Sequence, residues 1–368
     1  MTNSTINTAV RLLVLACALS LQACHSVEIK LPAKEKKVTE ALLANPRPVC
    51  VGRYMFDLPE QFSQGGSSVI INDKRIEAQP MPLPAFEQRI RLREQEIVAT
   101  KTINKIDTPY LRGVHKLFHD DKSIVFERNA DNLAPDMFRV LEAHHYQNGV
   151  AFRTEIEFYN TDADRHKDER ELFPTNITAK LSELHNLLGR LRGVKEGDPM
   201  PEGPALCFKH GYLVGDSRAV TGSAHGTEDA GTAFKLNNFP RVTFIISSNN
   251  FLQEDDSLLE RSQQHWMLKT LGRFGGMFKT LSKGKRTIHG VDAEEWLMFN
   301  GTDRENKQYQ YMMYIHEKSG SSKTPFLEAE MFYRPIGKGT EPDELTDKQL
   351  RAIWYQLTDS IRIRPGAI

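Results

Sequence analysis

Two related α+β domains, each an antiparallel sheet flanked by helices, are the fold class that three features of the sequence predict. The first is a strong hairpin signal, Phe138–Tyr146 and Val150–Tyr159 meeting at Asn148-Gly149. The second is a helix of regular apolar spacing near the end of each half. The third is a run of breakers, Gly197, Pro199, Pro201, Gly203 and Pro204, which divides a 368-residue chain long enough for two domains at ~150 residues each.

Residues 1–23 read as a signal segment. One positive charge, Arg11, precedes an apolar run from Leu12 to Leu19, followed by Leu21-Gln22-Ala23-Cys24. The run is shorter than the ~20 residues a spanning helix needs. A small residue before a cysteine, with leucine three places ahead of that cysteine, is the lipobox of bacterial lipoproteins, in which the cysteine sulfur receives diacylglycerol. Cys24 is therefore the expected lipidation site, and stable membrane anchoring without a transmembrane helix follows from more than one acyl chain. His25 stands where aspartate would favour inner-membrane retention, so the expected location is the periplasmic face of the outer membrane. Residues 24–47 are Lys-rich and read as a lipid-anchored linker, with weak helical character around Val38–Leu43.

The N-terminal domain is expected over 48–196. It opens on a strand from Val49 to Pro59, with a second strand at Ser68–Ile71. A helix follows at Pro84–Lys101, carrying Phe86, Ile90 and Ile97 on one side. Strands at Arg112–Phe118 and Ile124–Glu127 precede the hairpin. Thr175 then caps a helix whose stripe is Ile177, Leu181, Leu184, Leu188 and Leu191, closed by Gly193. The C-terminal domain, 204–368, starts on a strand at Leu206–Val214 that echoes the first. Next come a strand at Arg241–Ser247 and a helix at Ser257–Leu281 with Met267, Leu271, Phe274, Phe278 and Leu281. Thr287–Val291 resembles Leu111–Val114. Strands at Glu295–Phe299, Gln308–Glu317 and Phe326–Tyr333 lead to a last helix with a Thr346-to-Gln349 capping box, burying Leu350, Ile353, Trp354 and Leu357. Both halves share one order: a Cys-bearing strand, a helix, antiparallel strands, a closing helix.

Charge and motifs narrow the function. Lys plus Arg, 48, equals Asp plus Glu, 48, so no basic excess points to nucleic acid. Cys17 leaves with the signal and Cys24 takes lipid, which leaves Cys50 and Cys207. In an oxidising compartment these form a disulfide or stay as two separately buried thiols. No zinc spacing, phosphate loop, dinucleotide fingerprint or nucleophile elbow occurs, so no metal, no cofactor and no small-molecule substrate is expected. Gly222-Ser223-Ala224-His225-Gly226 has the wrong spacing for an elbow and reads as a surface loop. His144 and His145 are strand neighbours pointing to opposite faces. His115, His119 and Asp120-Asp121 read as a solvated turn, and Asp162–Glu171 as an exposed charged loop. Trp266, Trp296 and Tyr309 read as core rather than contact residues.

Cys50-Val51-Gly52-Arg53-Tyr54, followed by Asp57-Leu58-Pro59, resembles the opening of immunity proteins that protect bacteria from lipase effectors of the type VI secretion system. From the Cys207 strand to the helix near Trp354 the chain resembles that family's C-terminal domain, so the likeness spans most of 48–365. The resemblance implies a non-catalytic inhibitor that binds a cognate secreted lipase or phospholipase in the periplasm, and it supplies no contact residues. Two other classes stand beside it: a lipid-anchored envelope hydrolase with a dispersed active site, and a structural lipoprotein of an envelope assembly.

Overall fold

The computed structural model describes residues 29–119, 122–221, 226–263, 279–301, 307–335 and 344–368. Its core elements are two antiparallel sheets, one of eight strands and one of five, with helices against them. No described helix is long and apolar enough to cross a membrane.

The five-stranded sheet comes from the N-terminal half. It is an up-and-down meander of Leu111–His115, Ser123–Asn129, Phe138–Gln147 and Val150–Tyr159, with Glu77–Pro80 added at the edge. Asn148 and Gly149, at φ 50° and 79°, supply the left-handed pair that a tight turn between twisted strands requires. The C-terminal half repeats the pattern with Lys279–Ile288, Val291–Asn300, Gln308–Ile315 and Phe326–Tyr333, edged by Phe239–Asn249. Glu228–Leu236 and Phe62–Ile71 extend this second sheet. Those two strands occupy matching places in the halves, and they pair with each other antiparallel, Glu228 opposite Ile71 and Leu236 opposite Phe62.

Other matching elements are exchanged between the halves. Each expected Cys strand is in fact a two-strand hairpin. Arg47–Val51 turns at Gly52-Arg53 into Tyr54–Leu58, and Ala205–Phe208 turns at Lys209-His210 into Gly211–Val214. Each half's last short strand pairs with the other half's hairpin. Leu191–Gly193 lies beside Gly211–Val214, and Arg362–Ile363 beside Tyr54 and Met55. The two main cores follow the exchange. Val51, Tyr54, Phe56, Leu58 and Phe62 are buried with the C-terminal sheet and last helix, Phe56 lying 5.5 Å from Phe234 and 5.6 Å from Phe244. Leu206, Phe208, Leu213 and Ala230 are buried with the N-terminal sheet and the Ile177–Arg190 helix. The breaker-rich segment thus marks where the chain passes between repeats, while the packing boundary runs through both hairpins.

Several expectations need correcting. The folded body starts before residue 48: Ala33–Leu42 is a helix that buries Thr39 and Leu42, so the linker is not free over its whole length. The helix over Ile177–Arg190 begins after Asn176. Thr175 instead accepts from the Thr161 amide at 2.9 Å and donates to Asp162 at 2.8 Å. Gly193 lies in a strand, where an added Cβ would stand 2.2 Å from the Gln147 carbonyl oxygen. Of the helix expected at Ser257–Leu281, only Leu258–Arg261 is a described helix, and Leu281 belongs to the Lys279–Ile288 strand. Met267, Leu271, Phe274 and Phe278 lie outside the described residues. His289-Gly290 is a hairpin turn, whereas Gly113 sits at a strand bulge, so that echo is not structural. The final helix, Asp347–Asp359, has the expected box, with both Thr346 and Gln349 bonds formed, and buries Leu350, Ile353, Trp354 and Leu357.

Candidate functional site

Among the described residues, three of the polar clusters bear on function. The first is the junction of the two hairpins, where every residue of the Cys50–Arg53 motif has a structural task. Cys50 and Cys207 are bonded, with Cα atoms 5.7 Å apart. Gly52 adopts φ +60°, and a Cβ there would lie 2.8 Å from that of Ser248. Its amide and carbonyl pair with those of Cys207, both at 2.8 Å. Arg53 is buried and grips Glu228 with two N–H groups, at 3.0 and 2.6 Å, while donating to the carbonyls of Ala367 at 2.7 Å and Gly215 at 2.9 Å. Arg364 adds donations to the carbonyls of Pro201 and Gly203, at 2.6 and 2.8 Å. A fully hydrogen-bonded buried pair of this kind fixes one relative arrangement of the halves.

Beside this clamp lies a cleft of about 800 Å³ whose lining includes Arg47, Glu196, Asp198, Lys209, His210 and Tyr212. Its lining contains neither serine nor threonine, and both its cysteines are in the disulfide. His210 is pushed below its ordinary pKa by burial and by the Lys209 charge, and no carboxylate counters them. Nothing in the lining pairs a nucleophile with a base.

The second region is an ionic layer between the N-terminal sheet and the Leu83–Ala99 helix. The fully buried Glu142 accepts from Arg93 at 2.8 and 2.7 Å, Arg128 at 2.9 Å and His144 at 3.0 Å. Burial pushes its carboxyl up, but the hydrogen bonds from His144, Arg93 and Arg128 outweigh this and hold it far below the carboxylate range. His145 points to the other face, bonded to Ser123 at 2.5 Å. His115 lies at a strand end, as expected, but is not simply solvated. It belongs to an edge strand and bonds Glu127 at 3.0 Å. Asp120 and Asp121 lie outside the described residues.

The third region is the loop rim beyond that layer. The charged Asp162–Glu171 stretch is largely exposed, as expected, and is pinned within: Arg165 pairs with Asp136, and the buried His166 bonds the same carboxylate at 2.7 Å. Burial opposes ionisation of Asp136, yet Arg165 and His166 hold its pKa below the ordinary value. Asp107 accepts from the Asp136 amide at 3.1 Å, and Asp131 accepts from the amides of Leu133 and Ala134, each at 2.7 Å. On this fixed frame Ile103, Ile106 and Leu133 stand 68 %, 59 % and 72 % exposed. The Ile103 amide bonds the Asn132 carbonyl at 2.9 Å and so joins the two loops.

Trp296 and Tyr309 are buried, Trp296 in a small cluster with Leu258, Met298 and Met312. Trp266, the Gly222–His225 segment and Cys24 lie outside the described residues. Among the described residues no three His, Cys, Asp or Glu side chains are placed to hold a metal ion. Sequence reading missed Glu228, Arg364 and Glu142. Their one signal is a charged residue set within an alternating apolar strand or beside the C-terminus, which a solvated face imitates.

The model of the Tle cognate immunity protein 4 N-terminal domain matches residues 47–193, and that of the C-terminal domain matches 199–366. Among solved structures, the chain is similar to the apo immunity protein TplEi of the type VI secretion system from Pseudomonas aeruginosa. The identity is 22 % and the TM-score 0.68, over 87 % of this chain and 97 % of that one. It is similar at 22 % identity and TM-score 0.68 to a chain of a Tle4–Tli4 complex, covering 88 % of this chain and 99 % of that one. A third match is TplEi complexed with an "L" peptide, at 21 % identity and TM-score 0.64 over 88 % and 99 %. No curated protein matches the chain by sequence.

Proposed function

The chain belongs to the Tle cognate immunity protein 4 family, and from that premise we propose that it binds and silences a secreted lipase or phospholipase before the enzyme reaches the cell's own membranes. The observation that carries this reading is the match of both domain models in order across the folded body. It is not an enzyme but a binding protein, and its buried polar residues at the junction and around Glu142 hold its own shape.

The signal segment and Cys24 support a lipid-anchored protein of the periplasm, held on the inner face of the outer membrane beside the substrate it protects. The Cys50–Cys207 bond suits that oxidising compartment. For effector contact we propose the Ile103–Ile106–Leu133 rim. Exposed apolar side chains mark interaction surfaces, and loops already fixed by Asp107, Asp131 and Asp136 lose little entropy on binding.

The test is a mixed culture. A strain lacking this gene should die beside an attacker that delivers the cognate lipase, and survive beside an attacker lacking that lipase. Restoring the chain should restore survival, and Ile106→Asp with Leu133→Asp should not. Equal survival of the deletion strain with both attackers would refute the immunity reading. An envelope defect without any attacker would support a structural lipoprotein instead, and turnover of a lipid ester by the purified chain would support a hydrolase.

A further inference from the structure

We propose that the end of the C-terminal half bearing Lys279, Lys307 and Phe299 lies against an anionic phospholipid surface and so fixes how the molecule stands on the membrane. The inference rests on the reading of Cys24 as the lipidated residue. The route of the chain supplies the geometry. The Ala33–Leu42 helix meets the start of the last helix, where the Glu35 carboxylate accepts from the Thr346 hydroxyl at 3.0 Å and its carbonyl from Gln349 at 3.4 Å. The adjacent Asp347 accepts from the Tyr311 hydroxyl at 3.1 Å. From Tyr311 the rings continue to Tyr309 at 6.3 Å, and from Tyr309 to Phe299 and Tyr333, both at 6.0 Å. The Lys307 ammonium stands 4.3 Å from the Phe299 centroid and 4.9 Å from that of Tyr309, and Lys279 stands 5.9 Å from Phe299. The chain from the anchor therefore enters at the start of the last helix, from which contacts lead through the buried Tyr311 and Tyr309 to the half-buried Phe299 and its two lysines.

Reach and charge then select the occupant. Cys24 and Ile29 are five residues apart, so a lipid at Cys24 holds Ile29 within ~18 Å of the bilayer surface. Ile29 is itself packed against the C-terminal core, so the part of that core it touches is held equally close. Lys30, Lys34, Lys36 and Lys37 on the entering segment are exposed. Of the acids interspersed with them, Glu35 is bonded to Thr346 and Glu40 lies 3.9 Å from Lys36. Lysines beside the half-buried Phe299 ring, itself backed by the buried Tyr309, match the headgroup zone, where ammonium groups meet phosphates and a ring sits at the apolar boundary.

The full lipidated chain, reconstituted into phosphatidylcholine vesicles with or without phosphatidylglycerol, tests this by lysine acetylation and mass spectrometry. In anionic vesicles Lys30, Lys34, Lys36, Lys37, Lys279 and Lys307 should react several-fold more slowly than Lys101 and Lys105 of the other half, and high salt should abolish the difference. The variant K34E/K36E/K279E/K307E should still float with the vesicles and lose the protection. Flotation with uniform reactivity would overturn the proposed face while leaving the anchor intact. Failure to float with neutral vesicles would refute the anchor, and the orientation with it. Protection that arises only when the lipase is added would make this end a protein interface and overturn the proposal.

Discussion

Glu142 shows how far single residues decide this fold. It is a fully buried carboxylate surrounded by Arg93, Arg128 and His144, and its attraction to them offsets its desolvation only while all remain. Glu142→Gln removes the charge and leaves two guanidinium groups short of their acceptor. The expected loss is about 3 kcal/mol in urea unfolding. A midpoint unchanged from the parent would show the layer to be solvent-screened. Glu330 makes the opposite case. Its strand neighbours are Ile245 and Met312, and burial together with Glu328 raises its pKa to about 7. A carboxyl raised on folding lends stability that is complete below its unfolded value of about 4.5 and lost as pH rises through about 7. Glu330→Gln should therefore melt above the parent at pH 8, and the gap should close toward pH 5. A constant gap across that range would refute the assignment.

At the scale of elements, the exchange of hairpins has a direct consequence. A chain of residues 48–196 carries the hairpin that fills the other core and lacks the one that fills its own. Neither 48–196 nor 204–368 expressed alone should give a cooperative melt, and the two expressed together should. A cooperative melt of either piece alone would contradict the shared cores. Periodic elements were legible: the Asn148-Gly149 hairpin, the Leu184–Leu188 stripe and the Thr346 box all depend on local spacing. The exchange was not, because pairing between strands ~160 residues apart leaves no local pattern. Glu228–Leu236 escaped for a related reason. Its glycine and acidic residues argue against a strand until Arg53 and the facing Phe62–Ile71 strand are in place.

For the whole molecule, the disulfide, the Arg53–Glu228 pair and the Arg364 carbonyl contacts converge on one junction. Cross-linking residues 157 apart restricts the unfolded chain, so Cys50→Ser with Cys207→Ser should lower stability by ~2–4 kcal/mol. The double variant should still fold, since the exchanged strands and cores do not need the bond; complete unfolding would assign the junction to the disulfide alone. The motif that suggested the family is thus the seam between its halves, which explains why it announces the fold and says little about the partner surface.

A protein that works by occupying its target needs a rigid frame, which the disulfide, the Arg53–Glu228 pair and the exchanged hairpins supply. The most direct measurement is a titration of the purified chain into its cognate lipase effector, with hydrolysis of a phospholipid substrate as the readout. Hydrolysis should fall in proportion to added chain and stop near one equivalent. Undiminished hydrolysis at a large molar excess of correctly folded chain would contradict the account.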